Sequence, residues 1–483
     1  MSSLTPLIDL IVQNARVLEA ACAAAGSGGA SNGGADNGNA TLPDLNAPFD
    51  PASEAFRKDP KAAEAANVIA AAAFQLAATV LPPPSTLLGV AEAFLKPAAL
   101  RVAVEAGVVE MLREAGPEGM HVNDMAKLNG LDPQKLARFL RLLASNFIFR
   151  EVAPDVFANN RISSMIDTGK SSKEILADPE HKYDGTKGIS ALCAFMTDEP
   201  YKAAAHAWET VSDPADGRSG EPDATAMARA FGVRESVWKI MTRPENAQRL
   251  RRFNIAMAGS ADLQPANVVL GAFDWASLPA GALVVDVGGG IGKSARAIVE
   301  SIPSVKVVVQ DLPEVIEDGK KWWSENNPKA VESGQVVLES HSFFEPQTPR
   351  DVSVFLLKQI LHDWSDPYCA KILTHLRAAA TPGKTKLVIM DSCLSLACRE
   401  PLDDQFKDIP GALPHEASEP LLPNYGPAND SGYLQDLMML LSFNSQERNL
   451  RQFDTLLRGA GWKITSVRRT PGLLTNSVEA VPV

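Results

Sequence analysis

The spacing of apolar residues changes near residue 281, and the change predicts a distinct C-terminal region. From there on, short apolar runs of strand length alternate with longer stretches of helical character. Helical stretches separate most of the first six runs, which predicts a parallel, doubly wound sheet. No helix separates the last two runs, so we expect an antiparallel hairpin at the sheet edge. The predicted strands are residues 283–287, 305–310, 335–339, 352–357, 385–390, 463–467 and 477–482.

The chain before residue 281 has mainly helical periodicity. Apolar spacing predicts one amphipathic helix from Ala98 to Ala115. A short helix over 122–128 precedes a second one, which Asp132-Pro133 opens as cap and first residue. A small β-wing is expected over 148–157, so this stretch predicts a winged-helix module.

Three segments lie before that module. The apolar spacing from Met1 to Ala25 predicts an amphipathic helix rather than a secretory leader. The glycine content of residues 26–41 predicts a flexible linker. The apolar run from Val68 to Val80 is shorter than the roughly 20 residues that a membrane span needs. We therefore expect a buried or dimer-interface helix there.

These patterns divide the chain into three parts. Residues 1–60 form an N-terminal helix with its Gly-rich segment, and residues 61–185 form a helical, winged-helix domain. Residues 186–483 form the α/β domain, with a helical lead-in over 186–280. An insertion rich in Pro and acidic residues interrupts that domain at 394–430, and we expect partial disorder there rather than a lid.

Composition narrows the possible partners. A net charge of −12 disfavours nucleic acid, and the bases Lys135, Arg138 and Arg141 fit a solvated helix face better than a DNA contact. The 5 cysteines are widely spread, which predicts reduced thiols of a cytoplasmic protein and no metal site.

A glycine-rich turn follows the first predicted strand. A P-loop would need Gly at Val287, and the dinucleotide fingerprint would need Gly at Lys293. The pattern Asp-x-Gly-x-Gly-x-Gly fits at every position from Asp286 to Gly292, and this is the S-adenosylmethionine loop of class I methyltransferases. The alternative is a tight turn that binds nothing.

Polar and aromatic residues follow the next two strands, where ligands of doubly wound sheets bind. Asp311 lies at the position of an acid that binds ribose hydroxyls, and its alternative role is a helix N-cap. Phe343 or Phe344 could stack on an adenine, although core packing explains at least one of them.

The fourth strand leads into His362, in a short loop before a helix that begins at Asp366-Pro367. A neutral imidazole facing the ligand crevice can take a proton from a hydroxyl near pH 7. Asp391 and Glu447 follow later elements and could both reach His362. For Glu447, the alternative is a capping box with Asn444.

The order of these motifs resembles the plant and fungal S-adenosylmethionine-dependent O-methyltransferases of small molecules over roughly residues 90–480. The resemblance rests on Asp286–Gly292, Asp311-Leu-Pro, Leu361-His-Asp-Trp-Ser-Asp366, Glu447-Arg448 and the run ending at Trp462. It implies a Rossmann-like methyltransferase domain behind a winged-helix dimerisation domain.

The resemblance also implies roles for individual residues. His362 would be the catalytic base, with Asp391 and Glu447 as flanking acids. Ser342 stands where fungal relatives commonly carry Asp. Cofactor contacts are implied for Asp286, Gly288, Gly290, Asp311, Leu312, Ser342, Phe343 and Lys358. Substrate contacts are implied for Phe253, Asn254, Met257 and Met438, although the spacing around Met438 equally describes core packing.

The implied enzyme moves the methyl group of S-adenosylmethionine to a hydroxyl of a small aromatic or polyketide-type molecule, expected to be phenolic, and releases S-adenosylhomocysteine. A metal-free homodimer of secondary metabolism is expected, in the cytoplasm and without nucleic-acid or membrane partners. Two alternatives stay open. One is a pericyclase with the same fold, which the replacement of the usual Asp by Ser342 leaves possible, and the other is a non-catalytic partner protein.

Overall fold

The computed structural model describes residues 4–27, 42–265, 267–399, 404–469 and 475–483. Most of the predicted Gly-rich linker and the link between the last two strands lie outside these residues. The chain forms two compact units. The first comprises residues 1–205, 238–263 and 417–429, and the second comprises residues 206–237, 264–416 and 430–483.

The first 204 residues supply ten helices and three short strands among the described residues. They are α1 (Thr5–Ser27), α2 (Pro60–Val80), α3 (Pro83–Ala91), α4 (Leu95–Glu105), α5 (Val108–Ala115), β1 (Met120–His121), α6 (Val122–Asn129), α7 (Pro133–Ser145), β2 (Arg150–Ala153), β3 (Val156–Ala158), α8 (Ser172–Ala177), α9 (Ile189–Met196) and α10 (Glu199–Ala204), with 3-10 turns at Pro51–Lys58 and Ser163–Ile166. Next come α11 (Ala207–Val211), α12 (Ala226–Ala230), α13 (Val237–Thr242) and α14 (Ala247–Asp262), with a 3-10 turn at Pro244–Asn246.

The single helix predicted over 98–115 is wrong, because the chain breaks it into α4 and α5. Gly107 adopts a φ of +66° between them, in a left-handed conformation that glycine adopts at little cost. The predicted cap is present at the start of α7, where the Asp132 carboxylate accepts a hydrogen bond from the Lys135 backbone N–H at 2.9 Å. The hairpin expected over 148–157 is β2–β3, and β3 also pairs with β1.

Helix α2 runs eight residues further towards the N-terminus than the predicted apolar run. Among the described helices, α2 alone is long and apolar enough to cross a membrane by length and composition. In the first unit it buries Val68 and Ala72 in a cluster with Leu7 of α1 and Tyr425 of the insertion.

The insertion was predicted to be partly disordered, but residues 404–430 are packed, while residues 400–403 lie outside the described residues. Phe406 packs in the core of the second unit, while Leu421 and Tyr425 pack in the first unit. Tyr425 also donates a hydrogen bond from its hydroxyl to Glu64 at 2.5 Å. The insertion contains apolar residues between its prolines and acidic residues. Their burial stabilises its structure, although its overall composition suggests disorder.

The second unit contains the α/β elements. They are α15 (Val268–Gly271), β4 (Leu283–Val287), α16 (Lys293–Ser301), β5 (Lys306–Asp311), α17 (Pro313–Asn326), α18 (Pro328–Glu332), β6 (Val336–Ser340), β7 (Val354–Lys358), α19 (Asp366–Ala378), β8 (Lys386–Met390), β9 (Cys393–Leu394), α20 (Ser431–Phe443), β10 (Arg448–Asn449), α21 (Leu450–Gly459), β11 (Trp462–Arg468) and β12 (Ser477–Pro482), with 3-10 turns at Trp275–Ser277, Leu361–Asp363, Asp404–Phe406 and Gly426–Asn429.

Seven strands form one sheet in the order β11-β12-β8-β7-β4-β5-β6. Strands β4 to β8 are parallel, and β12 pairs antiparallel with both β8 and β11. The predicted hairpin therefore lies at the edge, with its antiparallel strand one position inside. Val285 and Val287 enter one core cluster and Val284 enters the other, so both sheet faces are buried, as in doubly wound folds.

Candidate active site

The glycine turn after β4 is shaped by left-handed backbone. Gly288, Gly290 and Gly292 have φ values of +66°, +59° and +89°. A Cβ at Gly288 would lie 2.5 Å from Ile360 Cδ1, whereas a Cβ at Gly290 would meet no atom within 4 Å. The turn thus has one packed side and one open side that a ligand can approach.

Asp286 lies beneath this turn, 1% exposed, and its Oδ2 has no hydrogen-bond partner among the described residues. Burial raises its pKa to about 7, although the positive charge of Lys358 opposes the rise. Burial also lowers the pKa of Lys358, against the opposing charges of Asp286 and Asp391. An orphaned buried carboxyl oxygen beside an open backbone cradle fits a ligand that carries an N–H or O–H donor.

Asp311, at the end of β5, holds the glycine turn from the neighbouring strand. Its Oδ2 accepts a hydrogen bond from the Gly290 N–H and its Oδ1 accepts one from the Leu312 N–H, both at 2.8 Å. Leu312, half exposed, is the N-cap of α17, which has no side-chain cap. The capping alternative for Asp311 is therefore wrong, since the carboxylate faces the loop instead.

The segment after β6 places two aromatic rings in one cluster. The Phe344 ring lies 4.7 Å from Trp364 and 5.7 Å from Tyr368, within an aromatic cluster. Phe343 packs in the same cluster, 5.9 Å from Trp364, and its ring also lies 3.5 Å from the position of a Cβ on Gly288, on the packed side of the glycine turn. The Ser342 hydroxyl accepts a hydrogen bond from the Phe344 N–H at 3.3 Å.

His362 lies on the 3-10 turn Leu361–Asp363, directly after β7. Buried Arg448 fixes this turn by donating hydrogen bonds to the Leu361 carbonyl at 2.8 Å and to the Trp364 carbonyl at 3.0 Å. The same guanidinium contacts the Asp366 carboxylate at 2.8 Å. The sequence pairs Arg448 with Glu447 in one motif, but its role in holding the turn becomes visible only in the fold.

The imidazole of His362 is paired through one nitrogen. Its Nδ1 lies 2.8 Å from Glu447 Oε1, and its Nε2 lies 3.5 Å from Asp363 Oδ1. Glu447 is itself held, because its N–H donates a hydrogen bond to Asp436 Oδ1 at 2.8 Å. A carboxylate at Nδ1 selects the tautomer with the proton on Nδ1, which leaves the Nε2 lone pair available.

Asp391 is placed differently from the sequence expectation of two flanking acids. It is 3% exposed, and neither of its carboxyl oxygens has a hydrogen-bond partner among the described residues. Burial raises its pKa to about 6, against the opposing charge of His362. Asp391 thus affects the imidazole through its charge and forms no hydrogen bond with it.

The capping-box alternative for Glu447 is wrong. Asn444 ends α20 in a left-handed conformation, and the capping box of α21 is formed by Asn449 and Gln452. Glu447 therefore has no capping role among the described residues, and its carboxylate pairs with the imidazole of His362. Burial lowers the pKa of His362, but the charges of Asp363, Asp391 and Glu447 together with the Glu447 hydrogen bond raise it, to a net value of about 10.

The expected substrate residues fall in both units. Phe253, Asn254 and Met257 lie on α14 in the first unit, where the Phe253 ring packs 5.2 Å from Phe195. Met438 lies on α20 in the second unit and is partly buried. Within the described ranges, no group of three or more His, Cys, Asp or Glu side chains could hold a metal ion.

Sheet order and glycine turn together define a class I methyltransferase fold, and the histidine paired with Glu447 lies directly after β7. Residues 208–419 match the O-methyltransferase domain, and residues 88–168 match the O-methyltransferase dimerisation domain. The chain is 48% identical to 4-O-methyltransferase 1 of Phanerochaete chrysosporium, over 100% of this chain and 99% of that protein. The protein therefore belongs to the S-adenosylmethionine-dependent O-methyltransferase family and is an enzyme of that class.

Solved structures of lower identity share the fold. Mitomycin 7-O-methyltransferase is 23% identical with a TM-score of 0.59, over 83% of this chain and 98% of that one. A structure described as a pericyclic reaction enzyme is 17% identical with a TM-score of 0.61, over 87% of this chain and 94% of that one. At these identities the likeness concerns the fold alone.

Proposed function

We propose that this enzyme methylates a phenolic hydroxyl of a small aromatic or polyketide-type metabolite, with His362 as the general base. The contact of 2.8 Å between His362 Nδ1 and Glu447 carries the proposal, because it orients the imidazole and leaves Nε2 for the hydroxyl proton. The name of the Phanerochaete relative supports a 4-hydroxyl as the methylated group.

The proposed cofactor site lies at the glycine turn, whose open side at Gly290 a ligand can approach. Gly288 and Gly290 would line it, Asp311 with Leu312 would receive the ribose, and Ser342 and Phe343 would border the adenine. Asp286 and Lys358 would contact the amino-acid end, where the free Oδ2 of Asp286 suits an ammonium donor. When bound there, S-adenosylmethionine supplies an electrophilic methyl group on a positively charged sulfur.

His362 must be neutral to act as a base. The three surrounding carboxylates favour the imidazolium, so the base form has to be produced in the loaded site. A positive charge close to an imidazolium lowers its pKa. We propose that His362 loses its proton in this way and then accepts the proton of the acceptor hydroxyl at Nε2. Positioning and general-base help would supply the rate gain, the latter about 10²–10⁴-fold.

The acceptor pocket and the assembly are further parts of the proposal. Met438 of the second unit would contact the acceptor, whereas the substrate contacts implied for Phe253, Asn254 and Met257 of the first unit stay predictions of the resemblance. A homodimer is supported by the match to a dimerisation domain and by Leu87, Leu88 and Val90 of α3, which are 71%, 57% and 71% exposed.

We further propose that the winged-helix segment serves dimerisation rather than DNA binding. We place the enzyme in the cytoplasm, in secondary metabolism, without a membrane partner. Light scattering of the purified protein tests the dimer, and a monomer at micromolar concentration would contradict it.

The reaction is tested with S-adenosylmethionine that carries a deuterated methyl group. We expect mass spectrometry to find the labelled methyl on the oxygen of at least one compound in a panel of phenols and hydroxylated polyketides. If the protein binds the cofactor but labels no phenol, the phenolic assignment is wrong.

A pericyclic activity is the alternative that this experiment separates. Ser342, in place of a carboxylate at the proposed adenine site, is the feature that favours it. In that case, the protein would rearrange an acceptor without any transfer of label, and the mass of the product would equal that of the substrate.

A further inference from the structure

A cavity of about 350 Å³ lies within the first unit, away from the residues proposed above for catalysis and for the cofactor. Its walls come from α4, from residues 179–184 and from the first half of α14. Small-molecule pockets have volumes of about 300–1,000 Å³, so this cavity can hold a small ligand. Basic side chains are frequent in its walls, namely those of Arg101, Lys182, Arg249, Arg251 and Arg252.

Asp198, which precedes α10, lies at the centre of this basic cluster. It is 3% exposed, and its two carboxyl oxygens accept hydrogen bonds from Arg101 Nη1 at 2.6 Å and from Arg249 Nη1 at 3.1 Å. Arg252 Nη2 donates to the same carboxylate at 2.9 Å, and Lys202 Nζ lies 2.6 Å from it. Burial raises the pKa of Asp198, but the hydrogen bonds from Lys202, Arg252 and Arg101 outweigh burial and hold the pKa well below its usual range. Asp198 therefore stays ionised, with four cations around one negative charge.

Glu199 supplies a second negative charge to the cluster. It is fully buried, and it accepts hydrogen bonds from Arg249 Nη1 and from Arg252 Nη2, both at 2.6 Å. The four cations thus share two carboxylates, which leaves an excess of two positive charges. The side chains of Arg101 and Arg249 are 34% and 30% exposed, so a ligand in the cavity can reach them.

The other charged residues of the cavity do not cancel this excess. Glu105 pairs with Lys182 at 2.6 Å, and Asp184 pairs with Arg251 at 2.7 Å, so each of these pairs is neutral. Glu180 also lines the cavity, but it is exposed and solvent screens its charge. The excess of positive charge is therefore local, in a chain whose net charge is −12.

Tyr183 adds a neutral donor to the same wall. It is 6% exposed, and its hydroxyl has no hydrogen-bond partner among the described residues. Burial raises the pKa of Tyr183, so the proton stays on the oxygen and can be donated. Arg252 Nε, which also belongs to a lining residue, is buried and likewise without a partner in the described part of the chain. Because buried polar groups are nearly always paired, these two donors indicate an acceptor that a ligand would supply.

We propose that this cavity binds a small oxyanion of the phosphate class, either free phosphate or the phosphate group of a small molecule. Arg101 of α4 and Arg249 of α14 would bind the oxyanion, and the Tyr183 hydroxyl would donate to it. Guanidinium groups match the geometry of phosphate oxygens, and two excess positive charges match a dianion. A tetrahedral oxyanion presents oxygens to donors on separate elements, whereas the two oxygens of a carboxylate lie in one plane. This site does not depend on the proposed methyl transfer.

The test is calorimetric titration of the full chain with inorganic phosphate, glycerol 3-phosphate and malonate at equal ionic strength. We expect saturable binding of both phosphates, with malonate weaker than either. The tighter of the two phosphates distinguishes a free ion from a phosphorylated small molecule as the ligand. Arg101→Gln should weaken phosphate binding roughly 10–100-fold, as expected for a lost hydrogen bond to a charged group. Tyr183→Phe should weaken it roughly 3–10-fold, as expected for a neutral donor.

Both variants should fold, because Asp198 keeps three cations in Arg101→Gln and Tyr183→Phe removes a hydroxyl without a described partner. Thermal unfolding of each sample checks this. Arg141→Gln is the matched control, since Arg141 lies in the same unit and pairs with Glu151 at 2.7 Å, and it should bind phosphate like the wild type. The site is overturned if the wild type shows no saturable binding, or if Arg101→Gln and Tyr183→Phe both keep the wild-type affinity. Tighter binding of malonate than of either phosphate would overturn the phosphate class.

Discussion

The carboxylates around His362 have unequal roles. Glu447 holds Nδ1 directly, whereas Asp391 is buried without a hydrogen bond and acts through its charge. The sequence predicts both acids near the histidine but cannot rank them, because their distances depend on how three separate loops meet. Asp363 also faces Nε2, the nitrogen that we propose to accept the proton, and its position next to His362 in the sequence is the signal for this contact.

Replacing Glu447 by Gln tests whether Glu447 affects His362 more strongly than Asp391 does. Removing its charge should lower the pKa of His362, so the base form should persist to lower pH and the pH–rate profile should shift in the acid direction. The loss of tautomer control should also lower kcat about 10²–10⁴-fold. Steady-state kinetics between pH 6 and pH 10 measure both effects.

Asp391→Asn is the matched variant, since it removes the same charge without removing a hydrogen bond to the ring. The same acid shift is expected, with a loss of kcat below about 10-fold. A larger loss of kcat in Asp391→Asn than in Glu447→Gln would reverse the assignment.

The element that the sequence predicts most completely is the turn between β4 and α16. The glycine spacing requires left-handed backbone, and three of its glycines have it. Helix ends were predicted less well. The break occurs at Gly107, which adopts a left-handed φ, and the capping box is formed by Asn449 with Gln452 rather than by Asn444 with Glu447; both are local features that apolar periodicity does not mark.

Gly290→Ala tests the cofactor assignment of this turn. The added Cβ would project into the open side, and the left-handed φ costs roughly 1–2 kcal/mol for an alanine. We expect the dissociation constant of S-adenosylmethionine, measured by calorimetry, to rise at least tenfold. Gly459→Ala also adds a Cβ into open space but lies on α21, so its affinity should equal that of the wild type. If both variants bind S-adenosylmethionine with the same affinity, Gly290 does not line the cofactor site.

On the scale of the whole molecule, the α/β unit could be predicted almost entirely from the sequence. All seven predicted strands lie in the observed sheet, because strands that are buried on both faces form continuous apolar runs. The insertion could not be predicted, since the burial of Phe406, Leu421 and Tyr425 depends on partners distant in sequence. The cluster around Asp198 had no signal for the same reason, as Arg101, Asp198 and Arg249 lie on separate elements.

The central claim is that His362 takes the hydroxyl proton during methyl transfer. The most direct measurement is single-turnover transfer of labelled methyl by His362→Ala, with cofactor affinity measured by calorimetry on the same sample. The account predicts a rate lower by about 10²–10⁴-fold at unchanged cofactor affinity. A rate close to that of the wild type, with the cofactor equally bound, would contradict it.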